Sequence, residues 1–196
     1  MSHFEAFFLT FIPILVAINI PGVLPIYISI SEPLIKSQKR KIATQSVITA
    51  FVVSVGFVFL GQAIFNALRI QVEDFMIGGG VLLLVISIIE IVAGRPKSDQ
   101  HGAEFGAVPL GTPLLAGPAT LTTALILAGS YGYLPVILSL MLVLFLAWLS
   151  FTWAEFIIRI IGHSGARAMA KVAYLFLAAI AVHLIKSGIF KVIGVK

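Results

Sequence analysis

Charge-free apolar stretches alternate with short polar connections along the whole chain. Ala6 to Ser31 and Ile42 to Leu68 carry no charge, and Phe75 to Gly94 carries only Glu90, near its end. Phe105 to Ala154 is also free of formal charge. It is too long for one crossing, since about 20 mostly apolar residues cover about 30 Å of hydrocarbon. Gly129-Ser130-Tyr131-Gly132-Tyr133 puts turn residues in its middle, so it reads as two helices in a hairpin. Val172 to about Ile193 completes the set, with Lys186 and Lys191 long enough to snorkel to one interface. The pattern predicts six spans: an all-α integral membrane protein, one transmembrane domain over residues 1–196.

Composition removes the alternatives. The 196 residues are 60% hydrophobic and 11% charged, with a mean hydropathy of +1.11. A soluble domain runs near 45–50% apolar and about 25% charged. This excludes a soluble enzyme, a disordered tail and a disulfide scaffold. With no cysteine, disulfides, thiolate metal sites and a cysteine nucleophile drop out as well.

The net charge of +5 points to topology and not to nucleic acid, because the cations sit between apolar stretches. Lys36, Lys39, Arg40, Lys41, Arg95, Lys97, Arg159, Arg167 and Lys171 fall on one side of a six-span chain. Arg69, Lys186, Lys191 and Lys196 fall on the other. The positive-inside rule puts the first group in the cytoplasm, hence both termini outside a multi-pass chain of the cell inner membrane. Met1-Ser2-His3-Phe4-Glu5 lacks the basic start of a signal peptide, so the first apolar stretch is read as a retained helix.

The two halves echo each other. The first span contains Asn19-Ile20-Pro21-Gly22-Val23-Leu24-Pro25, and the fourth contains Pro113-Leu114-Leu115-Ala116-Gly117-Pro118-Ala119-Thr120. Each half, about 1–97 and about 98–196, is then three spans with a Pro–Gly break in its first span. Three is odd, so the second copy enters from the opposite face. The expectation is a 3+3 inverted-topology repeat with broken first and fourth helices, a pattern of secondary transporters whose sites lie at mid-membrane between the breaks.

A proline inside a helix removes one amide donor and pushes off the carbonyl four residues back. In hydrocarbon each freed carbonyl costs several kcal/mol unless protein, water or ligand satisfies it. Pro21 to Pro25 is expected to unwind about a turn. The N-terminus beyond a break presents bare N–H groups and suits a carboxylate. The carbonyl end before it suits an ammonium or a cation. Two facing breaks suit a small zwitterion.

At these residues the chain resembles the MarC family, which includes small neutral amino-acid transporters of the SnatA type. The resemblance covers essentially the whole chain, with Pro113-Leu114-Leu115-Ala116-Gly117-Pro118 its most specific piece and Gly78-Gly79-Gly80 before an apolar helix in keeping with it. Here Asn19-Ile20-Pro21-Gly22 stands where the family usually reads Asn-Pro-x-Gly, and Ala119 where it often has glycine. The resemblance implies transport of glycine, alanine or similar amino acids, coupled to a proton or sodium gradient.

The candidate substrate-binding residues are Asn19, Pro21, Gly22, Gly117, Pro118, Thr120 and Thr123. Asn19 offers both donors and an acceptor beside an unwound turn, or else caps the second half-helix. The threonines line a site or bond back to their own helix. Glu90 and His183 fall at matching positions of the two halves and are the candidates for proton coupling. The plainer alternative has Glu90 at the interface near Arg95 and His183 bonding a neighbouring helix. Glu155 and Arg159, one turn apart, read as an interfacial pair. Gln45 and Gln62 read as glue between helices. Gly78-Gly79-Gly80 is no phosphate loop, since no lysine follows it, and close helix packing explains it better.

No catalytic residue, metal site or cofactor is expected. A membrane-embedded enzyme needs convergent acids, a metal cluster or a nucleophile with its base, and Glu90 and His183 alone do not supply these. A non-transporting assembly subunit would not require matched breaks, and a channel is a further alternative, although the spans lack the charge ring a charge-selective pore often uses.

Overall fold

Apolar residues point both into and out of this molecule, as they must when lipid replaces water at the surface. The computed structural model describes residues 3–32, 34–92 and 106–193, and every regular element among them is helical. In chain order these are α1 (His3–Ile18), α2 (Ile20–Ser31), α3 (Lys36–Leu68), α4 (Val72–Val92), a π-helical segment (Gly106–Leu115), α5 (Pro118–Tyr131), α6 (Tyr133–Thr152) and α7 (Ala154–Ile193). Arg95, Lys97 and Lys196 lie outside the described residues, as do the side chains of Glu90, Glu155, Arg159 and Arg167.

Five stretches among the described residues are long and apolar enough to cross a bilayer: Glu5–Ser31, Lys36–Leu68, Val72–Ile89, Tyr133–Thr152 and Ala168–Ile193. The expected fourth span is the exception. Its residues divide between the π-helical segment of 10 residues and α5 of 14, each short of the roughly 20 that one helix needs. The division comes from Pro118, which disfavours helical backbone at the residue before it. Gly117 is accordingly extended, at φ −84 and ψ 172.

The first stretch is interrupted more narrowly than its prolines suggest. Instead of a whole unwound turn, one residue leaves the helical region: Asn19, at φ 51 and ψ 54. The reason is the position of Pro21 in the first turn of α2, where a missing N–H breaks no bond. The proline starts a helix more than it disrupts one. Elsewhere, Gly132 at φ 89 separates α5 from α6, within the turn residues that mark the hairpin. Gly162, at φ 74 and ψ 166, kinks α7.

The core lies where α1, α2, α3, the π-helical segment, α5, α6 and α7 meet. Tyr27 of α2 stacks on Phe151 of α6, with ring centroids 4.4 Å apart, and its hydroxyl donates to the Lys39 carbonyl at 3.1 Å. Thr10 of α1 and Ser139 of α6 hydrogen-bond at 2.8 Å in a fully buried contact. Trp148 Nε1 donates to Thr44 Oγ1 at 3.1 Å and ties α6 to α3. Trp153 is exposed, as an interfacial aromatic should be. Gln62 is no glue between helices: its amide nitrogen donates to Asn66 Oδ1, on its own helix, at 3.5 Å. The side chain is exposed, with no other helix packed over it.

Glycine brings α4 and α7 together. A β-carbon at Gly80 would lie 2.8 Å from the Ala181 carbonyl oxygen, and one at Gly188 would lie 2.6 Å from Ile77 Cγ1. Such close approach is how membrane helices gain packing without a hydrophobic driving force. Gly79 lies under the ring of Pro118, so the start of α5 is seated on the glycine run of α4.

Candidate functional site

The site begins with backbone. In a continuous helix the carbonyls of Ala17 and Ile18 would accept from residues four places on. Pro21 has no N–H, and the Gly22 N–H turns instead to the Asn19 carbonyl at 2.9 Å. The carbonyl end of α1 is thereby left without those two donors. At the other break, Pro118 opens α5 and the Leu121 N–H bonds the Gly117 carbonyl at 2.9 Å. The first-turn N–H groups of Ala119 and Thr120 have no acceptor inside their own helix.

These two ends meet. Ala17, Ile18, Asn19 and Gly22 from the first break line one small cavity with Gly117 and Thr120 from the second. It measures about 30 Å³, room for roughly two water molecules. Leu83 of α4 and Ala173, Leu177 and Ile180 of α7 close it. The Thr120 side chain is 1% exposed, and its hydroxyl has no partner among the described residues. An orphan hydroxyl of that kind is costly in so apolar a setting. The Asn19 side chain makes no capping hydrogen bond. Its amide sits over Gly22, in the space a side chain there would need. Among the described residues, no titratable side chain lines the cavity.

A second, larger space adjoins the first. An apolar groove of about 1040 Å³ runs between α1–α2 and α7, and Asn19 and Gly22 are common to both. Pro21, Thr123 and His183 line the groove and not the cavity. His183 is exposed there, with Nε2 3.4 Å from Ser187 Oγ on its own helix. Hence His183 does not bond a neighbouring helix, because the groove lies in front of it. Glu90 belongs to the last turn of α4.

The expected residues thus separate. Asn19, Gly22, Gly117 and Thr120 come together at the cavity, and Pro118 is a packing residue, buried against Gly79. Thr122 bonds back to the Pro118 carbonyl at 2.8 Å. The walls supplied by Leu83, Ala173, Leu177 and Ile180 carry no local signal, since an aliphatic residue of a span looks the same whether it faces lipid or a cavity.

The model of the MarC family of integral membrane proteins matches residues 4–193. The chain belongs to the MarC family. Among curated MarC relatives, a UPF0056 membrane protein of Methanocaldococcus jannaschii is 32% identical, over 94% of this chain and 96% of its own length. One from Archaeoglobus fulgidus is 31% identical, over 96% and 94%. The UPF0056 inner membrane protein YhgN of Escherichia coli K12 is 30% identical, over 86% and 88%. No solved structure matches this MarC chain. Membership and the apolar helices together make it a multi-pass membrane protein.

Proposed function

We propose that this MarC chain is a secondary transporter of small neutral amino acids, glycine, alanine and their like. The observation that carries the reading is the meeting of two helix interruptions, at Asn19 and Gly117, around a cavity with an unpartnered Thr120 hydroxyl. A substrate carboxylate belongs at the N-terminal end of α5, where free N–H groups and the helix dipole favour an anion. Its ammonium belongs at the carbonyl end of α1, with the Asn19 amide and Thr120 hydroxyl completing its shell. The small volume of the cavity and its aliphatic walls at Leu83, Leu177 and Ile180 favour the smallest side chains.

Packing supports reading residues 1–97 and 98–196 as inverted three-span repeats, the π-helical segment and α5 together forming the fourth crossing. α1 packs on α6 as the π-helical segment packs on α3, while α3 pairs with α6 and α4 with α7. Exchanging the first three spans for the last three interchanges the first two of these pairs and maps each of the other two onto itself. At about 30 Å³ the cavity is too small for an amino acid, so α1–α2 and α7 must part along the groove to admit one. Alternating access is then a rocking of one repeat against the other, with the basic loops cytoplasmic and both termini outside.

Transport is coupled to a proton or sodium gradient, with no catalytic step. His183, beside the groove that leads to Asn19, and Glu90 are the proton candidates. Glutamine at either position should flatten the pH dependence of flux if they carry it.

The test is counterflow of labelled glycine and alanine into liposomes holding the purified protein, with Asn19→Gly and Thr120→Val variants alongside. Uptake by the wild type, lost or severely reduced in both variants, is the expected result. Folded protein that exchanges none of a panel of small amino acids would sink the substrate assignment and bring the assembly-subunit reading forward.

A further inference from the structure

The first three turns of α3 carry a feature that transport of a neutral zwitterion does not use. Lys36, Ser37, Arg40, Lys41, Thr44 and Gln45 form one face of the helix and line a shallow groove of about 640 Å³. Lys36, Arg40 and Lys41 are exposed and make no ion pair with any described residue. Among the described residues, no acidic side chain lines the groove.

Its depth in the membrane follows from length. α3 has 33 residues, roughly 50 Å at 1.5 Å per residue, against about 30 Å of hydrocarbon. Its charge-free part begins at Ile42, so the segment before it stands at headgroup level. Thr44, at the floor, accepts from the Trp148 indole, a ring that favours the boundary between headgroups and chains. Cations and Ser37 rim the groove on the water side, and Thr44 and Gln45 line it toward the lipid.

We propose that this face binds the headgroup of an anionic glycerophospholipid from the surrounding leaflet. The phosphate diester lies among Lys36, Ser37, Arg40 and Lys41, with the ester region over Thr44 and Gln45. Charge complementarity selects this occupant: three exposed cations that make no ion pair among the described residues attract anionic lipid at headgroup depth, by up to roughly five-fold for each cation before salt screens them. A zwitterionic lipid, whose own ammonium meets the same cations, gains much less. The site is independent of the substrate cavity, and its test does not depend on transport.

The experiment uses the full chain with Trp153→Phe, leaving Trp148 as the fluorophore beside the groove, in bilayers of mixed lipid. Phosphatidylglycerol brominated near the top of its chains should quench Trp148 at about a tenfold lower mole fraction than brominated phosphatidylcholine. Lys36→Gln/Arg40→Gln/Lys41→Gln should bring the two lipids level, whereas Lys186→Gln/Lys191→Gln should leave the preference intact. Raising salt to about 1 M, where the Debye length is about 3 Å, should erase the preference in the wild type without any substitution. Equal quenching in the unsubstituted groove, or a preference that survives the triple replacement, overturns the proposal. So does displacement by inorganic phosphate at matched ionic strength, which would make free phosphate the occupant.

Discussion

The amide of Asn19 occupies the place where a β-carbon of Gly22 would sit. The two residues lie three apart, Asn19 at the interruption between α1 and α2 and Gly22 in the first turn of α2, and the left-handed backbone of Asn19 folds its side chain back over the start of α2. A side chain at position 22 and an amide at position 19 therefore compete for one volume. Gly22→Ala should push the amide out of the cavity and reduce counterflow about as far as Asn19→Gly does. The double variant should be no worse than either single one, a non-additivity expected of residues in contact. Asn19→Gly should keep its melting temperature, since glycine takes φ above zero freely. Additive losses in the double variant would separate the two residues.

Thr120 and Thr122 are two places apart and differ in what they bond. Thr122 Oγ1 reaches the Pro118 carbonyl at 2.8 Å, whereas the Thr120 hydroxyl has no described partner. Thr120→Val should therefore leave stability unchanged or raise it, by up to about 1 kcal/mol, while weakening substrate exchange severalfold. Thr122→Val should do the reverse, costing about 0.5–1 kcal/mol with exchange nearly normal. Thermal melting in detergent and counterflow, measured on both variants, read the two effects separately.

Gly78 and Gly79 test whether the seat of α5 matters. Nothing lies within 4 Å of a β-carbon built at Gly78, whereas one at Gly79 runs into the Pro118 ring. Gly79→Ala should destabilise the protein by about 1–3 kcal/mol, the usual cost of overpacking. Gly78→Ala should be neutral or mildly stabilising, from better helix propensity. Similar melting temperatures for the two variants would remove the contact between α4 and α5 from the account.

Leu83 stands in the wall of the cavity and is 4% exposed. Leu83→Ala should enlarge the space and shift preference toward larger neutral amino acids, seen as a rise in valine over glycine counterflow. A stability loss of about 2–5 kcal/mol accompanies it if the walls do not collapse. Leu82→Ala, on the exposed side of the same helix, should alter neither property, because that position faces lipid.

The sequence by itself determined the solvent and the helices. The charge-free stretches between Ala6 and Ser31 and between Ile42 and Leu68 can be stable only as helices in lipid, since no water is there to satisfy an open backbone. It also determined where the backbone would fail. Pro118 forces extended geometry on Gly117, and Pro21 with Asn19 ends one helix and begins the next, through constraints that act within a residue or two. Those local rules fall short at the width of the first break, because a proline's effect depends on whether it falls inside a helix or in its first turn. Only the tertiary structure decided that Asn19 and Gly117 share one cavity, that Leu83 and Ala173 close it, and that Thr123 and His183 stand outside it along a groove. Pairing across that distance depends on which faces of α4, α5 and α7 turn inward. Uniformly apolar helices carry no periodic polar stripe to set that rotation. It is settled by small-residue contacts, Gly79 under Pro118 and Gly80 against Ala181, that exist only once the helices have packed.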